Sequence, residues 1–111
     1  MERLSEALRE EIATIIVGEL EDPRIGLATV SEVHIAADGR SAQVLVAVVG
    51  DEDGAKRTLE GLNAARNYIR RELADRLRLR TAPELYFRLD RSEQYGNRIE
   101  QLLKRVSKRQ E

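Results

Sequence analysis

Apolar residues recur at Leu4, Leu8, Ile12, Ile15, Ile16 and Leu20, separated by threes and fours. That spacing lines one side of an α-helix over Met1–Leu20, with Glu2, Glu6 and Glu10 on the opposite side. The stretch EDPR ends it, because Pro23 disfavours helical geometry at Asp22 and has no N–H to donate. From about Leu27 to Ala36 the period changes to two, with Val33 and Ile35 on one face and Glu32 and His34 on the other. Ala36–Arg40 (AADGR) is a turn, since Asp-Gly tolerates the positive φ of a tight hairpin. In the strand that follows, Ala42, Val44, Val46 and Val48 alternate with Ser41, Gln43, Leu45 and Ala47, nearly apolar on both faces. A β-hairpin is expected.

The segment GDEDG (Gly50–Gly54) opens a second helix, where Asp51 or Asp53 can accept from the free N–H groups of the first turn. Leu59, Leu62 and Ala65 form its apolar side, and Ile69, Leu73 and Leu77 continue the period out of phase. Asn67, a residue tolerant of left-handed geometry, lies at the phase shift. The pattern therefore predicts two helices with a break near Ala65-Arg66-Asn67. Arg76 and Leu77 close the third helix, Leu79–Pro83 connects, and Glu84–Leu89 alternates as a third strand with Leu85, Phe87 and Leu89 inward. Asp90–Ser92 can cap a final helix carrying Tyr95, Ile99, Leu102, Leu103 and Val106 on one face, and Lys104, Arg105, Lys108 and Arg109 at its end. The order α-β-β-α-α-β-α belongs to the α+β class, helices packed on a three-stranded sheet.

At 111 residues, 41% hydrophobic and 35% charged, the chain is expected to fold as one domain. It has no cysteine, which excludes disulfides and thiolate metal sites. No apolar stretch approaches the roughly 20 residues of a membrane span, and MERLSEALREE has no signal-peptide core, so a cytoplasmic location is expected. The net charge of −1 hides an asymmetry. Residues 1–54 hold four Lys/Arg against twelve Asp/Glu, a balance of −8; residues 55–111 hold the other fifteen against eight, a balance of +7. A basic half suggests a polyanionic partner, the alternative being a solvated, salt-bridged surface.

Catalytic chemistry is not evident. His34 is the single histidine, and its neighbours Ser31 and Glu32 do not make a nucleophile and orienting acid for it. No P-loop, G-x-G-x-x-G or G-x-x-G occurs, and no cofactor or metal is expected. The acidic run Glu19, Glu21 and Asp22 reads as solvated surface. The basic constellation differs in kind. Arg66, Arg70 and Arg71 share a helical face with Asn67, and Arg76, Arg78 and Arg80 follow. Guanidinium forks suit phosphates and asparagine suits base edges; alternatively Arg70 and Arg71 pair with Glu72, Asp75 or the acidic first helix.

The order of elements with a basic helical break resembles the type II KH-like fold, an RNA-binding architecture. Within it, EDPRIGLATVSEVHIAADGRSAQVLVAVVG, YIRRELADRLRLRTAPELYFRLD and RSEQYGNRIEQLL resemble the ribosome-binding factor A family, which lacks G-x-x-G. In that family the kink carries Ala-x-Gly; here Ala65 matches and Asn67 stands for the glycine. The resemblance implies a KH-like domain at 1–91 with 92–111 as its C-terminal helix and basic tail. It implies a monomeric, non-catalytic assembly factor of the small ribosomal subunit. Such a factor would assist maturation of the subunit's RNA, notably in cold adaptation, with ribosomal proteins as further partners and no membrane. Ala65, Arg66, Asn67, Arg70, Arg71, Arg76, Arg78 and Arg80 would form the RNA-facing side. A KH-like domain for another single-stranded nucleic acid, and a small protein-interaction or ligand-sensing module, are the competing readings.

Overall fold

The computed structural model describes residues 2–91. The elements are α1 (Glu2–Gly18), β1 (Ala28–Ile35), β2 (Ser41–Val48), α2 (Glu52–Ala64), α3 (Arg66–Arg76) and β3 (Glu84–Leu89). This is the expected α+β order; the expected final helix and tail fall in 92–111, outside the described residues. Helix α1 ends two residues before Leu20, although Glu19 N still donates to Ile15 O at 2.9 Å.

The sheet runs β1-β2-β3, with β1 antiparallel and β3 parallel to the central β2. The hairpin turn forms at the Asp-Gly pair, with Gly39 at φ +73° and Ala36 N bonded to Ser41 O at 2.9 Å. A bulge between Val30 and Glu32 leaves Ser31 as the extra residue of β1. Its buried hydroxyl donates to Leu45 O at 3.1 Å, so it is not a nucleophile for His34. The helices bury Leu8, Ile12 and Ile15 of α1, Leu62 of α2, and Ile69 and Leu73 of α3 against one face of the sheet, where Val44, Val46, Leu85 and Phe87 meet them. Since β2 is parallel to β3, the chain must cross back between them, and α2 and α3 are that crossover.

Asp51 rather than Asp53 caps α2, its Oδ1 accepting from Gly54 N at 2.8 Å. The DPR stretch folds on itself: the Asp22 carboxylate accepts from Arg24 N, Nε and Nη2. The loop then docks on α2, where the buried Thr58 hydroxyl accepts from Gly26 N at 3.1 Å and donates to Gly54 O at 2.9 Å. Glycine at 61 is needed for this contact, because a Cβ there would stand 2.6 Å from Ile25 Cγ1.

The break between α2 and α3 falls at Ala65, as the phase shift predicts, but its geometry differs from expectation. Ala65 has φ −89° and ψ 1°, a conformation open to any L residue, and Asn67 is an ordinary residue in the first turn of α3. The left-handed residue comes later. Arg78, at φ +53°, ends α3 in a Schellman motif, with Leu79 N on Ala74 O at 2.8 Å and Arg78 N on Asp75 O at 3.4 Å. Reversing the chain out of α3 towards β3 requires a left-handed residue; offsetting two consecutive helices does not.

Candidate functional site

Asn67, Arg71 and Ala74 recur at i, i+4 and i+7 along α3 and so lie on one flank of it. The α3–β3 connection runs past this flank and brings Arg80, Thr81 and Ala82 to the same place. Together with Arg70 these residues wall an open recess of about 600 Å³. Ala74 and Ala82 are small and Ala82 is buried, which leaves the recess an apolar floor between cationic sides.

The arginines divide into two kinds. The side chains of Arg71, Arg78 and Arg80 are exposed and make no hydrogen bond or ion pair among the described residues. Arg70 is engaged on three atoms: Nε donates to Pro83 O at 3.0 Å, Nη2 to Ala82 O at 2.9 Å, and Nη1 lies 3.3 Å from Glu84 Oε1. It ties the connection to α3, and its partners are not the Glu72, Asp75 or first-helix carboxylates that its sequence context offers.

Arg76 does meet the acidic first helix. It stands two residues beyond Ala74, hence roughly opposite the recess on the helical circumference. Its guanidinium bonds Glu72 Oε1 at 2.9 Å within α3, Glu11 Oε2 at 3.5 Å on α1, and Glu19 just after α1. Tyr68 joins from α3, its hydroxyl donating to Glu19 Oε1 at 3.0 Å. The Arg76 hydrogen bond, helped by that of Tyr68, holds the Glu19 carboxyl below the usual carboxylate range against the opposing effect of burial. The same bond to Glu19 pushes the Tyr68 hydroxyl up, and Glu19 and Glu72 raise Arg76 further. Glu19 is thus not free surface as its acidic run suggests, and neither is Asp22, which Arg24 holds low through hydrogen bonds.

Arg66 is half-buried beside the break and donates through Nη2 to Asn63 Oδ1, while its Nε is buried without a partner among the described residues. Ala65 packs against the edge of the core. Of the eight residues singled out in the sequence, the fold gathers Asn67, Arg70, Arg71 and Arg80 around the recess, leaves Arg78 exposed nearby in the chain, and turns Arg76 to α1. Ala74, Thr81 and Ala82 were not singled out. The spacing of Asn67, Arg71 and Ala74 carried a signal for the first, but nothing local marks the connection as the opposite wall. His34 is exposed and holds Glu32 Oε2 at 2.8 Å. No cluster of metal-ligating side chains and no helix long and apolar enough to cross a membrane occur among the described residues.

Comparison with known proteins gives a consistent result. Residues 1–103 match the family described as ribosome-binding factor A. A protein of that name from Koribacter versatilis is 68% identical over 108 residues, covering 97% of this chain and 88% of that protein. Another, from Halothermothrix orenii, is 45% identical over 109 residues, covering 98% and 89%. The crystal structure of ribosome-binding factor A from Thermus thermophilus superposes with a TM-score of 0.71 at 34% identity, covering 82% of this chain and 97% of that one. A homology model of the Thermus thermophilus protein, fitted into a cryo-electron-microscopy map of its 30S complex, superposes with a TM-score of 0.69 at 34% identity, covering 84% and 98%.

Proposed function

The chain belongs to the ribosome-binding factor A family, and from that premise we propose that it binds the small ribosomal subunit and assists maturation of the subunit's RNA. It acts as a soluble, cytoplasmic, monomeric and non-catalytic factor, with ribosomal proteins as additional contacts. The observation that carries the reading is the recess on α3. Arg71 and Arg80 flank an apolar floor with their guanidinium groups unengaged among the described residues, and the Asn67 amide lies beside them.

An unengaged guanidinium at a surface can exchange solvent and counterions for phosphate oxygens. The release of counterions from RNA makes that exchange favourable and salt-dependent. Arg78 adds to the same field, and Asn67 supplies an amide that can pair with a base edge. Arg70 contributes by holding the connection in place, and Arg66 and Ala65 by setting the angle at which α3 leaves α2. Arg76 secures α1 to the opposite flank, which turns the acidic helix away from the bound RNA. By binding one conformation of an immature particle better than another, the factor shifts that particle's folding equilibrium by the difference in affinity.

Co-sedimentation with purified small subunits across a salt series tests this, comparing wild type with an Arg71→Glu/Arg80→Glu variant. Both positions are exposed, so the variant should fold. The expected result is salt-sensitive binding by wild type and its loss in the variant. Equal binding by both would reject this face, and no binding by wild type would reject the subunit as the partner. Free single-stranded RNA binding as tightly as the subunit does would favour a KH-like domain with another target.

A further inference from the structure

The sheet has a second face, turned away from the helices, and its side chains play no part in the recess on α3. A row of exposed residues crosses all three strands there: His34 on β1 stands opposite Gln43 on β2, and Gln43 opposite Tyr86 on β3. In the adjoining row Arg88 of β3 stands opposite Leu45. His34, Gln43, Tyr86 and Arg88, with Ser41, wall a shallow recess of about 480 Å³.

Tyr86 is 43% exposed, and it is the one exposed aromatic residue among those described. Its partners in the sheet do not require a tyrosine. The strand position is fixed by Leu85 and Phe87, which are buried on the other face, and the Tyr86 hydroxyl makes no hydrogen bond among the described residues. The charges nearby are unequal in their freedom. Glu32 is engaged by His34 at 2.8 Å and Glu84 by Arg70 at 3.3 Å, whereas among the described residues the Arg88 guanidinium bonds only the carbonyl of its own neighbour Phe87, at 3.3 Å. What remains available is a ring, an amide and a cation within one recess.

We propose that this face binds an unpaired nucleotide of single-stranded RNA, with the base stacked on Tyr86, its edge on the Gln43 amide and the adjoining phosphate on Arg88. Each part follows from ordinary chemistry. An aromatic ring standing on an open sheet offers a π-face to a base, an amide offers both donor and acceptor, and a guanidinium matches phosphate geometry. The site goes beyond the interface proposed on α3 and uses none of its residues, so the chain holds RNA at two separated places.

The test is an NMR titration of the full chain with a short single-stranded adenosine oligonucleotide, carried out on wild type and on the Arg71→Glu/Arg80→Glu variant. Saturable upfield shifts of the Tyr86 ring protons together with shifts of the Gln43 side-chain amide are expected in both proteins, so the result does not depend on the α3 interface. Tyr86→Ala should weaken binding about tenfold and Tyr86→Phe should restore it, since stacking needs the ring and not the hydroxyl. Arg88→Gln should reduce the salt slope of binding by about one. Absence of Tyr86 shifts at saturating RNA would overturn the proposal, as would equal losses for Tyr86→Phe and Tyr86→Ala. If the oligonucleotide leaves the sheet untouched while a ribosomal protein shifts the same signals, the face belongs to a protein partner and the proposal fails.

Discussion

Arg70 Nε donates to the carbonyl of Pro83 across 3.0 Å, joining the middle of α3 to the residue before β3. Ala82 O is bound by the same guanidinium, so truncating Arg70 removes the donor of both carbonyls at a partly buried site. Arg70→Ala should therefore lower the unfolding free energy by about 1–2 kcal/mol, the loss expected when a charged donor to two partly buried carbonyls is removed. Arg70→Lys should recover little of it, because an ammonium is not a planar fork. Urea unfolding followed by circular dichroism measures both. A loss below about 0.5 kcal/mol would show that the connection holds itself in place.

Gly61 and Gly18 are both helical glycines, with opposite expectations. A Cβ at Gly61 would stand 2.6 Å from Ile25 Cγ1, whereas a Cβ at Gly18 meets nothing within 4 Å. Gly61→Ala should cost about 1–3 kcal/mol through overpacking, despite alanine's better helix propensity. Gly18→Ala should be neutral or stabilising by up to about 1 kcal/mol. Thermal and urea denaturation of the two variants should separate them in sign.

Arg78 combines a strained backbone with a guanidinium unengaged among the described residues. Its φ of +53° is uncommon for a residue with a Cβ, and glycine is the usual occupant of this position in a Schellman motif. Arg78→Gly should raise stability by about 1 kcal/mol while weakening subunit binding and lowering its salt slope. Both changes are read from one protein preparation, by denaturation and by co-sedimentation. A fall in stability would mean that the arginine side chain contributes more than its backbone costs.

The Glu19 network should be lost at both ends of the pH scale. The Glu19 carboxyl titrates below its ordinary value of 4.5, so its contribution is present above that pH and is lost as pH falls through the depressed folded value. Tyr68 is raised above 10.0, so its contribution is present below that pH and is lost as pH rises through the elevated folded value. Urea midpoints from pH 3 to 7 should decline towards acid in wild type and decline less in Glu19→Gln. Other depressed carboxylates such as Asp22 will keep some acid sensitivity in both. Parallel curves would mean that Glu19 does not carry the difference.

The helix and strand boundaries were legible because they depend on period and on local stops. Leucine and isoleucine spacing marked α1, Pro23 closed its neighbourhood, Asp38-Gly39 made the turn, and the shift of phase between Leu62 and Ile69 located the break at Ala65. Asn67 was misleading because the break was equated with a left-handed residue. The actual need for one arose at Arg78, where the chain has to turn back to reach β3. The bulge at Ser31 is marked in the sequence only by Val30, which falls out of phase with Val33 and Ile35.

The sequence by itself determined the order of the described elements, the α+β class, the buried stripes of α1, α2 and α3 and the concentration of cations in the second half. All of these follow from backbone periods and residue types acting over a few positions. It did not sort the arginines. Arg70, Arg71, Arg76 and Arg80 have similar neighbours in the chain, yet one holds two carbonyls, one meets three carboxylates, and two stand unengaged over the recess among the described residues. That division was made only when α1 and the α3–β3 connection packed on opposite flanks of α3. The partners of Arg76 on and just after α1 lie 65 and 57 residues away in sequence, and an ion pair depends on distance in space.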